Sequence, residues 1–137
     1  MNCKFALILI LGLGLAGCGS PAKQAPPPVN PLPNIAGTWT GTINLQGSTP
    51  NLVLVLTEDS SGNLSGTVSS TSGCNFDMPV RGAIYANSTF SVQNSDFSLL
   101  LAGTLANNNV DASGSITLGS GAGCGPANGA PFALGKQ

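Results

Sequence analysis

The sequence predicts an all-β protein: one small antiparallel meander of eight short strands, closed into a barrel. Three observations point there. From residue 35 onward, apolar and polar residues alternate with a period of two in one short segment after another. Clusters of Asn, Asp, Ser and Gly separate those segments at short intervals. No segment beyond residue 35 sustains the 3.6-residue apolar period of an amphipathic helix. A two-sheet β-sandwich would bury the same alternating faces and is the competing architecture.

The first strand is read over 38–46. In Thr38-Trp39-Thr40-Gly41-Thr42-Ile43-Asn44-Leu45-Gln46 the odd positions are apolar or glycine and the even ones polar, as a half-buried strand requires. The second, 52–56, is apolar on both faces. Asp59-Ser60-Ser61-Gly62-Asn63 has turn chemistry, and alternation resumes over 64–69. Further strands are read over 76–85, 89–94, 97–105, 110–118 and 131–135, with Ala86-Asn87-Ser88 and Asn107-Asn108-Asn109 as turns.

Five of these strands place a glycine in the middle of the inward face: Trp39-Gly41-Ile43, Leu64-Gly66-Val68, Val80-Gly82-Ile84, Leu101-Gly103-Leu105 and Ala112-Gly114-Ile116. Glycine weakens a strand interior and marks a bend or the close approach of another group. A small barrel needs such kinks to close. The same positions could instead leave an interior void for a ligand. Closure also protects 52–56 and 99–101, apolar runs that an open sheet would expose at an edge with few charges nearby.

Ahead of the barrel the chain has two other parts. Met1-Asn2-Cys3-Lys4 carries one positive charge, and 5–17 is an apolar run of 13 residues ending in Leu15-Ala16-Gly17-Cys18. A spanning helix needs roughly 20 such residues, so this run is too short for a permanent span and reads as a cleaved leader. The charged start, short apolar core and Leu15-Ala16-Gly17-Cys18 resemble the signal peptide and lipobox of bacterial lipoproteins. That resemblance implies cleavage before Cys18, a diacylglycerol thioether on its sulfur and an N-acyl chain such as palmitate. It implies a membrane partner reached through Cys18, with enough acyl chains for stable attachment. In that family Asp after the cysteine favours inner-membrane retention. Gly19 stands here, so the expectation is the outer membrane if the cell is Gram-negative. The domain plan is thus a signal peptide at 1–17, a lipidated Cys18 with a linker at 18–34, and the all-β domain at 35–137. Six of the 16 residues from 19 to 34 are proline. They read as a polyproline II spacer reaching up to roughly 50 Å at about 3.1 Å per residue.

Cysteine arithmetic follows from that plan. Cys3 leaves with the leader and Cys18 is lipidated, leaving Cys74 and Cys124. An exported compartment permits their disulfide. With no histidine and no CxxC spacing, a metal site is not expected.

Gly37-Thr38-Trp39, at the start of the first strand of an eight-strand meander, resembles the calycin superfamily of lipocalins, fatty-acid-binding proteins and avidins. There G-x-W closes one end of the barrel and a basic residue near the last strand packs across the tryptophan. Lys136 stands in the matching position. No ligand residues carry over.

The chemistry of the domain is sparse. Past the leader there are three basic residues, Lys23, Arg81 and Lys136, and five acids, Glu58, Asp59, Asp77, Asp96 and Asp111. No basic patch favours nucleic acid. Absence of histidine removes His-based triads, and five scattered acids do not form the pair that glycoside hydrolysis needs. Glu58-Asp59 reads as a solvated turn. Gly119-Ser120-Gly121-Ala122-Gly123 lacks the lysine and helix of a phosphate loop and reads as a flexible loop held by Cys124. No catalytic residues and no cofactor are expected. The primary expectation is a non-enzymatic, membrane-anchored cell-envelope lipoprotein with a structural or interaction role, and Val53, Val55 and Leu100 are candidate members of an exposed apolar patch for an envelope protein. The alternative is a lipocalin-like barrel that binds a small apolar ligand.

Overall fold

The computed structural model describes residues 31–137. The leader, Cys18 and the linker as far as residue 30 lie outside the described residues. Eight strands follow in chain order: β1 (Gly37–Ile43), β2 (Asn51–Glu58), β3 (Asn63–Ser70), β4 (Phe76–Ile84), β5 (Thr89–Gln93), β6 (Leu99–Ala106), β7 (Asp111–Leu118) and β8 (Ala127–Lys136). Each pairs antiparallel with its neighbour in sequence. β1 also pairs with β8, from Trp39↔Lys136 to Ile43↔Phe132, which closes the barrel and excludes the sandwich.

Several strand ends differ from the sequence reading: β8 begins at Ala127 and not at 131, β2 runs on to Glu58 and not 56, and two others have a visible cause. β1 stops at Ile43 because Leu45 and Ser48 exchange both backbone hydrogen bonds across a tight turn. β6 starts at Leu99 and not Phe97, because Asn94 holds the preceding loop. Its side-chain oxygen accepts the Leu99 amide at 2.9 Å and its amide donates to Ser98 Oγ at 2.8 Å.

The inward residues flanking all five glycines are buried. Trp39, Phe90, Phe132 and the surrounding Leu, Ile and Val side chains fill the barrel as one cluster. The glycines are required for a reason more local than overall closure. A Cβ on Gly66 or Gly82 would lie 1.8 Å from the carbonyl oxygen of Val55 or Ser91 on the adjacent strand. At Gly103 a Cβ would also meet interior rings, Phe132 at 2.9 Å and Phe90 at 3.1 Å. The glycine positions hold neighbouring backbone and aromatic carbon; the space is occupied.

Each end of the barrel is stoppered. At one end the lead-in segment crosses the opening: Ile35 is buried, its carbonyl accepts the Trp39 indole N–H at 2.8 Å, and its amide donates to Glu58 Oε2 at 2.9 Å. Glu58 is therefore a clamp, not a solvated turn residue. Lys136 sits with Nζ 5.5 Å from the centroid of the Trp39 ring and donates to the Asn34 carbonyl at 3.3 Å. Gly37 makes room for this arrangement. Its φ of +130° suits only glycine, and a Cβ there would be 3.0 Å from Lys136 Cε. At the other end Cys74 and Cys124 form a disulfide with Cα atoms 4.7 Å apart. It joins the β3–β4 loop to the β7–β8 loop. Ala122 of the second loop is buried in the core cluster, and the Gly119 amide donates to the Ser98 carbonyl at 2.6 Å. The glycine-rich loop is thus a fitted plug.

Candidate functional site

Four of the five acidic side chains are occupied in holding loops or the lead-in segment. Asp59 accepts the Ser61 amide at 2.8 Å, the Asn63 amide at 2.9 Å and the Asn63 side chain at 2.8 Å. Those bonds favour the ionised form and hold its pKa below the usual carboxylate value, the Asn63 side chain contributing most. Asp96 is lowered likewise, first by the Ser98 amide. Asp111 accepts the Asn107 side chain, and Glu58 holds Ile35. Among the described residues no group of three metal-ligating side chains converges. Cys74 and Cys124 are joined, and Cys18 is outside the described residues.

Of the predicted apolar patch, Val53 and Val55 share the outer face of β2, but Leu100 does not join them. Val55 lies on β2, between Thr38 and Thr67 of the flanking strands, whereas Leu100 lies on β6 between Gln93 and Thr117. These are opposite sides of an eight-strand barrel, so the two cannot share a patch.

A different surface stands out, on the outer wall of β3, β4 and β5. The register places Ser65 beside Arg81 and Arg81 beside Gln93, a row of three exposed polar side chains across three strands. Beneath and beside that row lies an open cleft of about 720 Å³ lined also by Pro79, Asn94, Ser95 and Phe97. Phe97 projects from the β5–β6 loop and is 72% exposed. Its backbone has φ +59°, the left-handed region that a bulky residue rarely adopts. Its amide donates to the Asn94 carbonyl at 3.3 Å, and the flanking Asn94 and Asp96 side-chain bonds fix the turn. An aromatic ring held in water on a strained backbone gains nothing from burial and costs about 1–3 kcal/mol. Such a residue is what a recognition surface needs and a folding core does not.

The sequence reading placed Phe97 inside a strand. Asn94, Ser95 and Asp96 before it are turn formers, and that run was the available signal. No family model, curated protein or solved structure matches this chain.

Proposed function

We propose that the protein is a lipid-anchored cell-envelope lipoprotein whose barrel works by its outer wall, as a non-enzymatic interaction module. The observation that carries the anchor is Leu15-Ala16-Gly17-Cys18 after a 13-residue apolar run with Lys4 ahead of it. The lipobox-containing leader directs export, and Cys18 carries the acyl chains that attach the domain to the membrane, the outer membrane in a Gram-negative cell. The exported Cys74–Cys124 disulfide accords with an oxidising compartment. An interaction role is favoured over a buried ligand because interior positions are filled by Trp39, Phe90 and Phe132 and both ends are stoppered. The Lys136–Trp39 contact and the Gly37 turn support assignment to the calycin type of barrel, here in a form without a lipocalin's open cup.

The test is Cys18→Ser in the native host, with metabolic palmitate labelling and membrane fractionation. Loss of label and release of the domain from membranes are expected. Retained acyl labelling in the variant would overturn the lipobox assignment. Uptake of an apolar fluorescent probe into the barrel, quenching buried Trp39, would restore the ligand-binding alternative.

A further inference from the structure

We propose that the cleft beside Phe97 is a binding site for an acidic saccharide, a sugar ring that carries a carboxylate; the proposal rests on the outer-wall reading above and names its ligand class. The backbone makes the cleft. The β4–β5 ladder ends at Arg81↔Gln93, but β4 runs back to Phe76. Pro79 lies in that overhang and has no N–H with which to extend the ladder. The chain leaves β5 into the loop at 94–98, which Asn94 and Asp96 hold through bonds to Leu99 and Ser98. A notch of about 720 Å³ is left in the wall, lined by Pro79, Ser95 and Phe97 together with Arg81 and Gln93. That size falls within the range of small-ligand sites, about 300–1,000 Å³.

Charge selects the sign of the ligand. Arg81 is exposed and is the one ionisable side chain among the described residues that line the notch. Glu58 and Asp59 border the adjoining cleft with Arg81, but their carboxylates hold the Ile35 amide and the turn from Ser61 to Asn63. Asp96 accepts the Ser98 amide. Asp77 shares the outer face of β4 four residues away, about 13 Å at roughly 3.3 Å per residue, beyond direct pairing. A carboxylate from outside matches the planar fork of Arg81, which can hold both of its oxygens. Gln93 and Ser95 add an amide and a hydroxyl, groups that both donate and accept, as sugar hydroxyls also require. A pyranose presents a face of C–H groups whose slight positive charge suits the negative face of an aromatic ring. Phe97 offers that ring from a loop already fixed by hydrogen bonds, so docking orders little that is not ordered beforehand. A peptide fits less well. Strand addition draws its affinity from main-chain bonds, and Pro79 withholds a donor where the ladder stops.

The test is an NMR titration of the full processed protein, nitrogen-labelled, in zwitterionic micelles. The probes are trigalacturonate and N-acetylmuramate, their neutral counterparts galactotriose and N-acetylglucosamine, and triglutamate as an acidic peptide. Shifts are expected at Arg81, Gln93 and Phe97, with each acidic sugar bound about tenfold more tightly than its neutral counterpart. Arg81→Gln should abolish that preference and leave neutral binding unchanged, and Arg81→Lys, which lacks the fork, should fall between. Phe97→Ser should weaken acidic and neutral sugars alike, whereas Val110→Ser, an exposed apolar residue on a distant turn, should change nothing. Unaltered Trp39 fluorescence and melting temperature show that each variant is folded. Equal affinity for acidic and neutral sugars, full acidic affinity in Arg81→Gln, or silence at all three residues with every sugar would overturn the site. Triglutamate bound at the same residues more tightly than the sugars would also overturn it, while leaving the outer-wall reading standing. Shifts at Trp39 and Phe132 in place of the wall would overturn the outer-wall reading itself.

Discussion

Substituting a single methyl group for hydrogen at two glycines separates the account of barrel closure given above from a generic preference against glycine. At Gly82 a Cβ lies 1.8 Å from the Ser91 carbonyl oxygen and 2.8 Å from Val92 Cα, where ordinary contact begins at 3.4 Å. The obstacle is backbone, so no rotamer change relieves it. β4 and β5 must part by about 1.6 Å, the difference between those two distances. β5 is the shortest strand, 5 residues, and the opening falls at Gly82↔Val92 and Ala83↔Ser91. Weakening two ladder hydrogen bonds costs about 1 kcal/mol each. Displaced packing adds about 1–3 kcal/mol. Gly82→Ala should therefore destabilise by about 3–5 kcal/mol, or at least about 12 °C in Tm for a domain of this size. At Gly135 a Cβ meets nothing within 4 Å. Gly135→Ala should stabilise by about 0.4–1 kcal/mol through the unfolded chain. Thermal unfolding followed by Trp39 fluorescence, with the disulfide intact, reads both. If the two variants shift Tm in the same direction, or Gly82→Ala stays within about 3 °C of wild type, the strand coiling described here is wrong.

Opening the disulfide should cost about 4 kcal/mol in the chain-entropy relation for the 50-residue separation of Cys74 and Cys124. Intact mass with and without reductant, followed by the Tm of the Cys74→Ala/Cys124→Ala double variant, checks both bond and magnitude; two alkylatable thiols before reduction would remove the bridge. Acid stability should track the loop carboxylates. Asp59 and Asp96 have folded pKa values below their unfolded ones, so their contribution is present above the ordinary carboxylate pKa of about 4 and lost as pH falls below it. Tm should be nearly flat between about pH 6 and 8 and fall below about pH 4, and Asp59→Ala should flatten part of that fall. An acid limb identical in the variant would deny Asp59 its role.

The two-residue alternation survived into the fold because it is a local consequence of which side chains the barrel buries. All eight strands stand where Trp39-Gly41-Ile43 and the later segments indicate. The disulfide was legible because Cys3 and Cys18 had other assignments, leaving only Cys74 and Cys124. What escaped reading depends on register. Ser65, Arg81 and Gln93 become neighbours only through β3–β4 and β4–β5 pairing. The carbonyls that enforce Gly66 and Gly82 belong to other strands, and Glu58 finds Ile35 across 23 residues of chain. Phe97 looked like a strand residue because the Asn94 and Asp96 side chains that hold it in the left-handed region act on backbone their sequence neighbours conceal.

Those residues also decide where recognition can occur. On the interaction reading proposed above, a barrel packed inside by Trp39, Phe90 and Phe132, with Ile35 buried at one end and Ala122 at the other, favours the outer wall as the recognition surface. Its sheet closes on itself through β1 and β8, so no edge can accept an added strand. Much of that wall is short hydroxyl side chains such as Thr38, Ser65 and Thr67. A surface of that kind supplies hydrogen bonds that water matches, and little net affinity. Affinity needs apolar area beside directed donors. Phe97 beside Arg81 and Gln93 supplies both, on a loop that Asn94 and Asp96 keep rigid. On the interaction reading proposed above, the backbone strain at Phe97 is the cost of displaying an aromatic ring beside Arg81 and Gln93.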